Sequence, residues 1–175
     1  NAYAQYAKEL TGSNNLVYMG GVALNCVANS LLTDIFKNIF IMPNPGDCGS
    51  SLGAAALELY NTNGERINWE TPYLGHNIQG KYPIKKALKS LKEGELFGIA
   101  NGRAEFGPRA LGNRTIMYDP SDPDGKDHVN LIKRREYFRP FAGSILEEDV
   151  HEWFDVRGMK SSPTMMYAVN CQEGI

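Results

Sequence analysis

Two short basic segments are the strongest chemical signal in this sequence. Residues 101–115 read NGRAEFGPRALGNRT and carry Arg103, Arg109 and Arg114 against one acid, Glu105. Residues 130–141 read NLIKRREYFRPF and carry Lys133, Arg134, Arg135 and Arg139 against Glu136. Residues 143–175, by contrast, hold two basic and six acidic side chains, so the positive charge is local. Two guanidinium groups about 6–7 Å apart repel by roughly 2.5 kcal/mol at an effective dielectric near 20. If the segments converge, an anion must offset that repulsion. Each charge-assisted bond from Arg to a phosphate oxygen contributes about 1.5–3 kcal/mol, so a polyphosphate reverses the sign. Arginine in place of lysine suits planar, bidentate recognition of such oxygens. The competing reading is a solvated helix face for Arg134 and Arg135. Arg103 and Arg139 fit that reading poorly, because each stands beside a Gly or Pro that constrains the backbone.

Two further features can do chemistry. Gly20-Gly21 follows a short apolar run and precedes a helix-like segment. Glycines there let the backbone approach a phosphate, ribose or adenine edge, and the next helix offers unpaired N–H groups. Asn25, one turn further on, can add a polar contact; the alternative is a tight turn with no ligand. Asp47 lies in PNPGDCGSS, after a strand and before a helix. Its carboxylate can cap that helix or point out of the sheet's carboxyl edge and hold a metal.

These residues need elements to hold them. Tyr3, Tyr6, Ala7 and Leu10 form one apolar stripe, which predicts a helix to residue 11. Strands are expected over 16–19 and 39–42, with helices over 22–32 and 52–60. That alternation predicts a mostly parallel α/β sheet. Residues 61–81 are polar and rich in Asn, Gly and Pro, and are expected to form a junction. A second α/β unit then begins near Tyr82. It has a helix through Ile84, Ala87, Leu88 and Leu91, strands over 96–100 and 115–118, and a helix from Pro123, capped by Asp122, to Arg135. A strand and a short acidic helix are expected over 145–154, and a last strand over 165–169. His76, His128 and His151 read as surface or packing residues.

Composition bounds the function. The 175 residues are 42% hydrophobic and 22% charged, the balance of a globular chain. A net charge of −2 argues against general nucleic-acid binding. No apolar run approaches the ~18 residues of a membrane span. The opening Asn1-Ala2-Tyr3 has neither an initiator Met nor the basic and apolar regions of a signal peptide, so an excised segment is expected. Three scattered cysteines without a CxxC pair suit a reducing, cytoplasmic setting.

The motifs also carry a resemblance. GGVALNCVAN (20–29) with PNPGDCGSSLGAAAL (43–57) resembles the closing part of the actin-like domain of the NodU/CmcH-type O-carbamoyltransferases. GRAEFGPRALGNRTIMYDP (102–120) with NLIKRREYFRPFAGSI (130–145) resembles the start of that family's C-terminal YrdC-like domain. The fold this implies is α/β: the end of an actin-like, ribonuclease-H-like domain over 1–62, a junction over 63–81, and a partial YrdC-like domain over 82–175. The activity it implies has two steps. Carbamoyl phosphate and ATP form carbamoyl adenylate, and the carbamoyl group then passes to an acceptor hydroxyl on a natural product or glycan.

Carried over by position, the resemblance makes Lys133, Arg135 and Arg139 catalytic. It makes Gly20, Gly21, Asn25, Arg103, Arg109 and Arg114 nucleotide- or phosphate-binding. Asp47 becomes a ligand of a divalent metal, iron or magnesium. Flanking segments of the same polypeptide are the implied partners, with no role for nucleic acid or a membrane. The 175 residues by themselves are expected neither to turn over nor to hold a metal tightly. The alternatives are an enzyme of tRNA threonylcarbamoylation or of hydrogenase maturation, a non-catalytic nucleotide- or RNA-binding module, and a sugar-kinase-like protein. The last leaves the GPRALG and FRPF segments without a role.

Overall fold

The structure is a computed structural model that describes residues 2–159 and 161–174. The elements run α1 (Ala2–Thr11), β1 (Asn15–Tyr18), α2 (Cys26–Ser30), β2 (Asn38–Ile41), α3 (Ser50–Asn63), β3 (Asn77–Ile78), α4 (Ile84–Lys92), β4 (Phe97–Ala100), β5 (Gly102–Arg103), β6 (Arg114–Met117), α5 (Gly125–Ile132), α6 (Val150–Trp153), β7 (Phe154–Asp155) and β8 (Asn170–Cys171). The architecture is mixed α/β. It divides into two compact units. The first comprises the chain up to Pro72, Phe106–Arg109, and the chain from Glu147 onward; the second comprises Tyr73–Glu105 and Ala110–Leu146. These units are drawn differently from the sequence segments 1–62, 63–81 and 82–175. Most of the acidic tail gathers with the first unit, as do Phe106 and the first three residues of the GPRALG motif.

In the first unit β1 and β2 pair in parallel, with Tyr18 opposite Ile41. The expected helix over 22–32 is interrupted. A 3-10 turn, Gly21–Leu24, ends at Asn25, whose backbone is extended, and α2 starts after it. Asn25 accepts from the Ala28 N–H at 3.1 Å, so its side chain is the N-cap of α2. Ala23, Ile41 and Met166 form the core here, with Tyr18, Leu24, Ile39 and Tyr167 against them.

Met166 reaches this core without the expected strand over 165–169. Asn29, wholly buried, donates from Nδ2 to the carbonyls of Ala23 (2.7 Å) and Met166 (2.8 Å). Ser30 Oγ accepts from the Ala168 N–H at 2.9 Å. Side chains of α2 therefore satisfy backbone that a sheet ladder would otherwise hold. The strand forms later, over Asn170–Cys171, paired with β7. The apolar stripe of α1 does not mark a buried face: Tyr3, Tyr6 and Leu10 are exposed.

The second unit is antiparallel throughout. β4 pairs with β6, placing Ala100 opposite Arg114, and β3 pairs with β5, placing Asn77 opposite Arg103. α4 lies against β4. Ala87, Ile99 and Val129 are its buried apolar residues. α5 starts at Gly125, two residues after Pro123. Asp122 instead accepts from the Tyr118 hydroxyl (2.7 Å) and the Asp124 N–H (2.9 Å), closing a turn ahead of the helix. α5 also stops early, at Ile132, because Arg134 has a left-handed φ of 52°. Lys133 to Arg139 is consequently a loop, and the solvated-helix reading of Arg134 and Arg135 does not hold.

Candidate functional site

In the first unit the site is built at the carboxyl ends of the parallel strands. β1 leads into Gly20, whose φ of 102° and ψ of 166° lie in a region open essentially to glycine. Its N–H donates to the Pro45 carbonyl at 2.7 Å, and its carbonyl accepts from the Ala23 N–H at 3.0 Å. A Cβ at Gly20 or Gly21 would meet nothing within 4 Å, so backbone conformation, not packing, calls for glycine at Gly20. The opposing turn after β2 is buried over Pro43, Asn44 and Pro45.

Phe106 and the first three residues of the GPRALG motif complete this corner. The Phe106 N–H donates to the Pro72 carbonyl at 2.6 Å, and its ring lies 5.9 Å from that of Trp69. At Gly107, φ 146°, a Cβ would lie 2.7 Å from the Pro43 carbonyl oxygen, so no side chain fits. That close approach delivers Arg109, whose Nη2 donates to the Leu24 carbonyl at 2.8 Å. Arg109 Nε is buried with no hydrogen-bond partner. A charged donor left unpaired is costly, and an anionic acceptor relieves it. Arg109 thus stands with the Gly20-Gly21 turn, although sequence order places it with Arg103 and Arg114.

Asp47 lies on the same loop, exposed, at the start of the 3-10 turn Asp47–Gly49. It does not cap α3: the N-cap position is Gly49, with no side-chain hydrogen bond. The capping alternative is therefore not realised. Among the described residues no three His, Cys, Asp or Glu side chains gather closely enough to hold a metal ion. Asp47 is a single oxygen donor, and a firm site needs several.

In the second unit each basic segment is organised about its own anchor. The anchor of the first is Glu105, a residue that sequence reasoning passed over as a lone countercharge. Its Oε1 accepts from the backbone N–H groups of Leu111 (2.7 Å), Asn113 (2.9 Å) and Arg114 (3.2 Å). Burial raises the Glu105 carboxyl, but the N–H groups of Leu111, Glu105 itself, Asn113 and Arg114 outweigh it and hold it below the usual carboxylate range. Three N–H groups converging on one point make an anion-binding nest, here filled from within. The signal in the sequence was the six-residue spacing from Glu105 to a turn rich in Gly and Asn.

Arg114 is equally committed. Its Nη1 donates to the carbonyls of Asn101 (2.9 Å) and Asn113 (2.8 Å), and its Nη2 to that of His76 (2.9 Å). The fork clamps β3, β5 and the start of β6. Arg103 is exposed and makes one longer contact, to the Leu74 carbonyl at 3.2 Å.

The second segment is anchored by Asn130, wholly buried at the end of α5. Its Nδ2 donates to the carbonyls of Arg139 (3.1 Å) and Tyr137 (3.4 Å), and its Oδ1 accepts from Arg135 Nε. Arg135 Cζ lies 4.1 Å from the Phe141 ring centroid, and Lys133 Nζ 5.9 Å from the same centroid. Desolvation, then the neighbouring Arg139 charge, lowers the Arg135 pKa. Arg139 itself meets Glu136 at 2.6 Å on the surface. Lys133, Arg135 and Arg139 are thus brought together as three cations with one exposed acid, an arrangement suited to a polyanion.

Two family models match the chain. Residues 2–56 match the family model described as Carbamoyltransferase N-terminus, and residues 88–175 match Carbamoyltransferase C-terminus. The chain is 35% identical to Nodulation protein NolNO of Sinorhizobium fredii over 97% of its own length and 29% of that relative. It is 35% identical to Nodulation protein NolO of Bradyrhizobium diazoefficiens over 97% of its length and 36% of that relative. An uncharacterized protein of Synechocystis is 37% identical over 94% of the chain and 31% of that protein. The chain spans about a third of the length of these curated relatives. With a single family model covering half of the sequence and its N-terminal counterpart covering most of the first unit's leading segment, the chain belongs to the carbamoyltransferase family.

Proposed function

We propose that these 175 residues belong to an ATP-dependent O-carbamoyltransferase, with residues 1–62 in an actin-like domain and 82–175 in a YrdC-like one. The observation that carries this reading is the convergence of Lys133, Arg135 and Arg139 on one loop, in a chain of the carbamoyltransferase family. Such a loop suits the phosphates of carbamoyl phosphate and ATP. For the atoms to balance, water cleaves carbamoyl phosphate to carbamate and phosphate. A carbamate oxygen then attacks the α-phosphorus of ATP, and pyrophosphate leaves. An acceptor hydroxyl attacks the carbonyl carbon of the resulting carbamoyl adenylate, loses its proton, and AMP departs. Fixed cations that hold pyrophosphate charge as it develops lower the barrier without reorganisation.

The first unit has a complementary task. The open Gly20-Gly21 turn and the unpartnered Arg109 Nε suit the adenylate. Arg103, exposed, is the cation of its segment left for a phosphate, whereas Arg114 serves the scaffold. Asp47 by itself does not fit an iron or magnesium site, so no more than one metal–oxygen contact is assigned to it. The acceptor is a hydroxyl of a natural product or glycan. The setting is cytoplasmic, where carbamoyl phosphate and ATP are available; no helix among the described residues is long and apolar enough to cross a membrane.

The test is pyrophosphate release from ATP on addition of carbamoyl phosphate, using the full polypeptide. Release should depend on carbamoyl phosphate and fall at least about tenfold in Arg139→Ala, the loss of one charge-assisted phosphate contact. Release that ignores carbamoyl phosphate would remove the reading.

A further inference from the structure

The loop that carries Lys133, Arg135 and Arg139 is irregular and mostly exposed, yet three like charges on it are held together. Glu136 offsets part of that repulsion at Arg139, and the shape of the loop must be held by something else. The described contacts trace this to one side chain. Asn130 is wholly buried and has both ends of its amide engaged: both carbonyl contacts, to Tyr137 and Arg139, come from Nδ2, and Oδ1 accepts a hydrogen bond from Arg135 Nε. Its main-chain carbonyl accepts the Arg135 N–H at 3.1 Å as well. Arg135 continues the brace, donating from Nη2 to the Pro140 carbonyl at 3.2 Å while lying on the Phe141 ring.

We propose that Asn130 is a positioning residue that preforms an anion clamp, with Arg135 as its strut and Lys133 and Arg139 as the groups that touch phosphate. The identity of the anion rests on the proposed function; the positioning role does not. An amide is required by the bond pattern. The site needs two donors toward carbonyls and one acceptor toward a guanidinium on a single short side chain. A carboxylate would keep the bond to Arg135 but set an oxygen against the carbonyls of Tyr137 and Arg139. It would also add a negative charge beneath a site meant for an anion. A neutral anchor holds the cations in place and leaves their charge available. Glu136 is the exposed countercharge that an incoming anion displaces from Arg139.

The experiment uses the full polypeptide and inorganic pyrophosphate as the probe, followed by calorimetry. Asn130→Asp should weaken pyrophosphate binding by about tenfold, the equivalent of one charge-assisted contact. The KM for carbamoyl phosphate should rise by a similar factor, with kcat changing less. Because Asn130 acts through Arg135, the double variant Asn130→Asp/Arg135→Gln should be no weaker than the worse single variant. If Asn130→Asp does not fold, Arg135→Gln breaks the same brace from the exposed side and carries the test. Unchanged pyrophosphate affinity in a folded variant overturns the inference, as does a fully additive double variant or an unaltered protein that does not bind pyrophosphate. If pyrophosphate binding depends on Asn130 but release from ATP ignores carbamoyl phosphate, the inference stands and the proposed function falls.

Discussion

In the segment around residues 101–114 the organising side chain is an anion, Glu105; in the segment 130–141 it is a neutral amide, Asn130. Both collect backbone groups of a loop at hydrogen-bond distance, and both sit beside arginines. The outcomes differ because of charge. Glu105 fills the nest of N–H groups that an external anion would otherwise occupy, and Arg114 is saturated by carbonyls. That segment is finished as it stands, apart from Arg103 and from Arg109, which gathers with the first unit and keeps an unpartnered Nε. Asn130 compensates geometry but no charge, so the cations above it keep their need for a ligand. Arginine content, the same signal in both segments, therefore reports scaffold in one and a candidate binding surface in the other.

The contrast can be broken most forcefully at Glu105. Glu105→Ala strips three N–H groups of a charged acceptor and should cost about 3 kcal/mol, given roughly 1–3 kcal/mol per such bond and partial exposure. Urea unfolding followed by circular dichroism measures it. The same carboxylate predicts a pH effect. Its folded pKa is depressed, so its contribution is present above the ordinary glutamate value of about 4.3 and is lost as pH falls through the lower folded value. Glu105→Gln should flatten that acid limb, and an unchanged limb would show that the nest does not depend on the charge.

A smaller effect separates the arginines. Arg114→Lys loses the fork that spans several carbonyls and should destabilise by about 1–2 kcal/mol, with pyrophosphate affinity unaltered. Arg139→Ala should behave oppositely. Equal loss of anion affinity in both would erase the distinction between scaffold and surface. The smallest effect is at Glu136. Glu136→Gln removes an exposed partner of Arg139, should leave the unfolding midpoint within scatter, and should tighten pyrophosphate binding by about twofold.

Much of this was legible in the sequence. Apolar periodicity located α1, α3 and α4, and short apolar runs located β1 and β2, to within a few residues, because the helical repeat of 3.6 follows from local geometry. It could not show that the stripe of α1 stays exposed, since burial depends on what packs against a face. The break at Asn25 was hidden for a related reason: Asn is tolerated in a helix pattern, yet its side chain competes for backbone N–H groups and here caps α2. The strand expected over 165–169 failed because Asn29 and Ser30, more than 130 residues earlier, satisfy that backbone. No window of local sequence contains such a pairing.

The candidate site divides along the same line. Residue types and spacing alone identified the basic segments, the Gly20-Gly21 turn and Asp47 as places where chemistry is possible, because charge and backbone freedom are properties of single residues. Tertiary structure decided which of them stand together and which are already committed. It moved Arg109 to the Gly20-Gly21 corner through the close approach of Gly107 to Pro43, committed Arg114 to carbonyls, and left Lys133 and Arg139 open above Asn130. The physical reason is that a hydrogen-bond donor is defined by its residue, whereas its availability depends on acceptors that only the folded chain brings within about 3 Å.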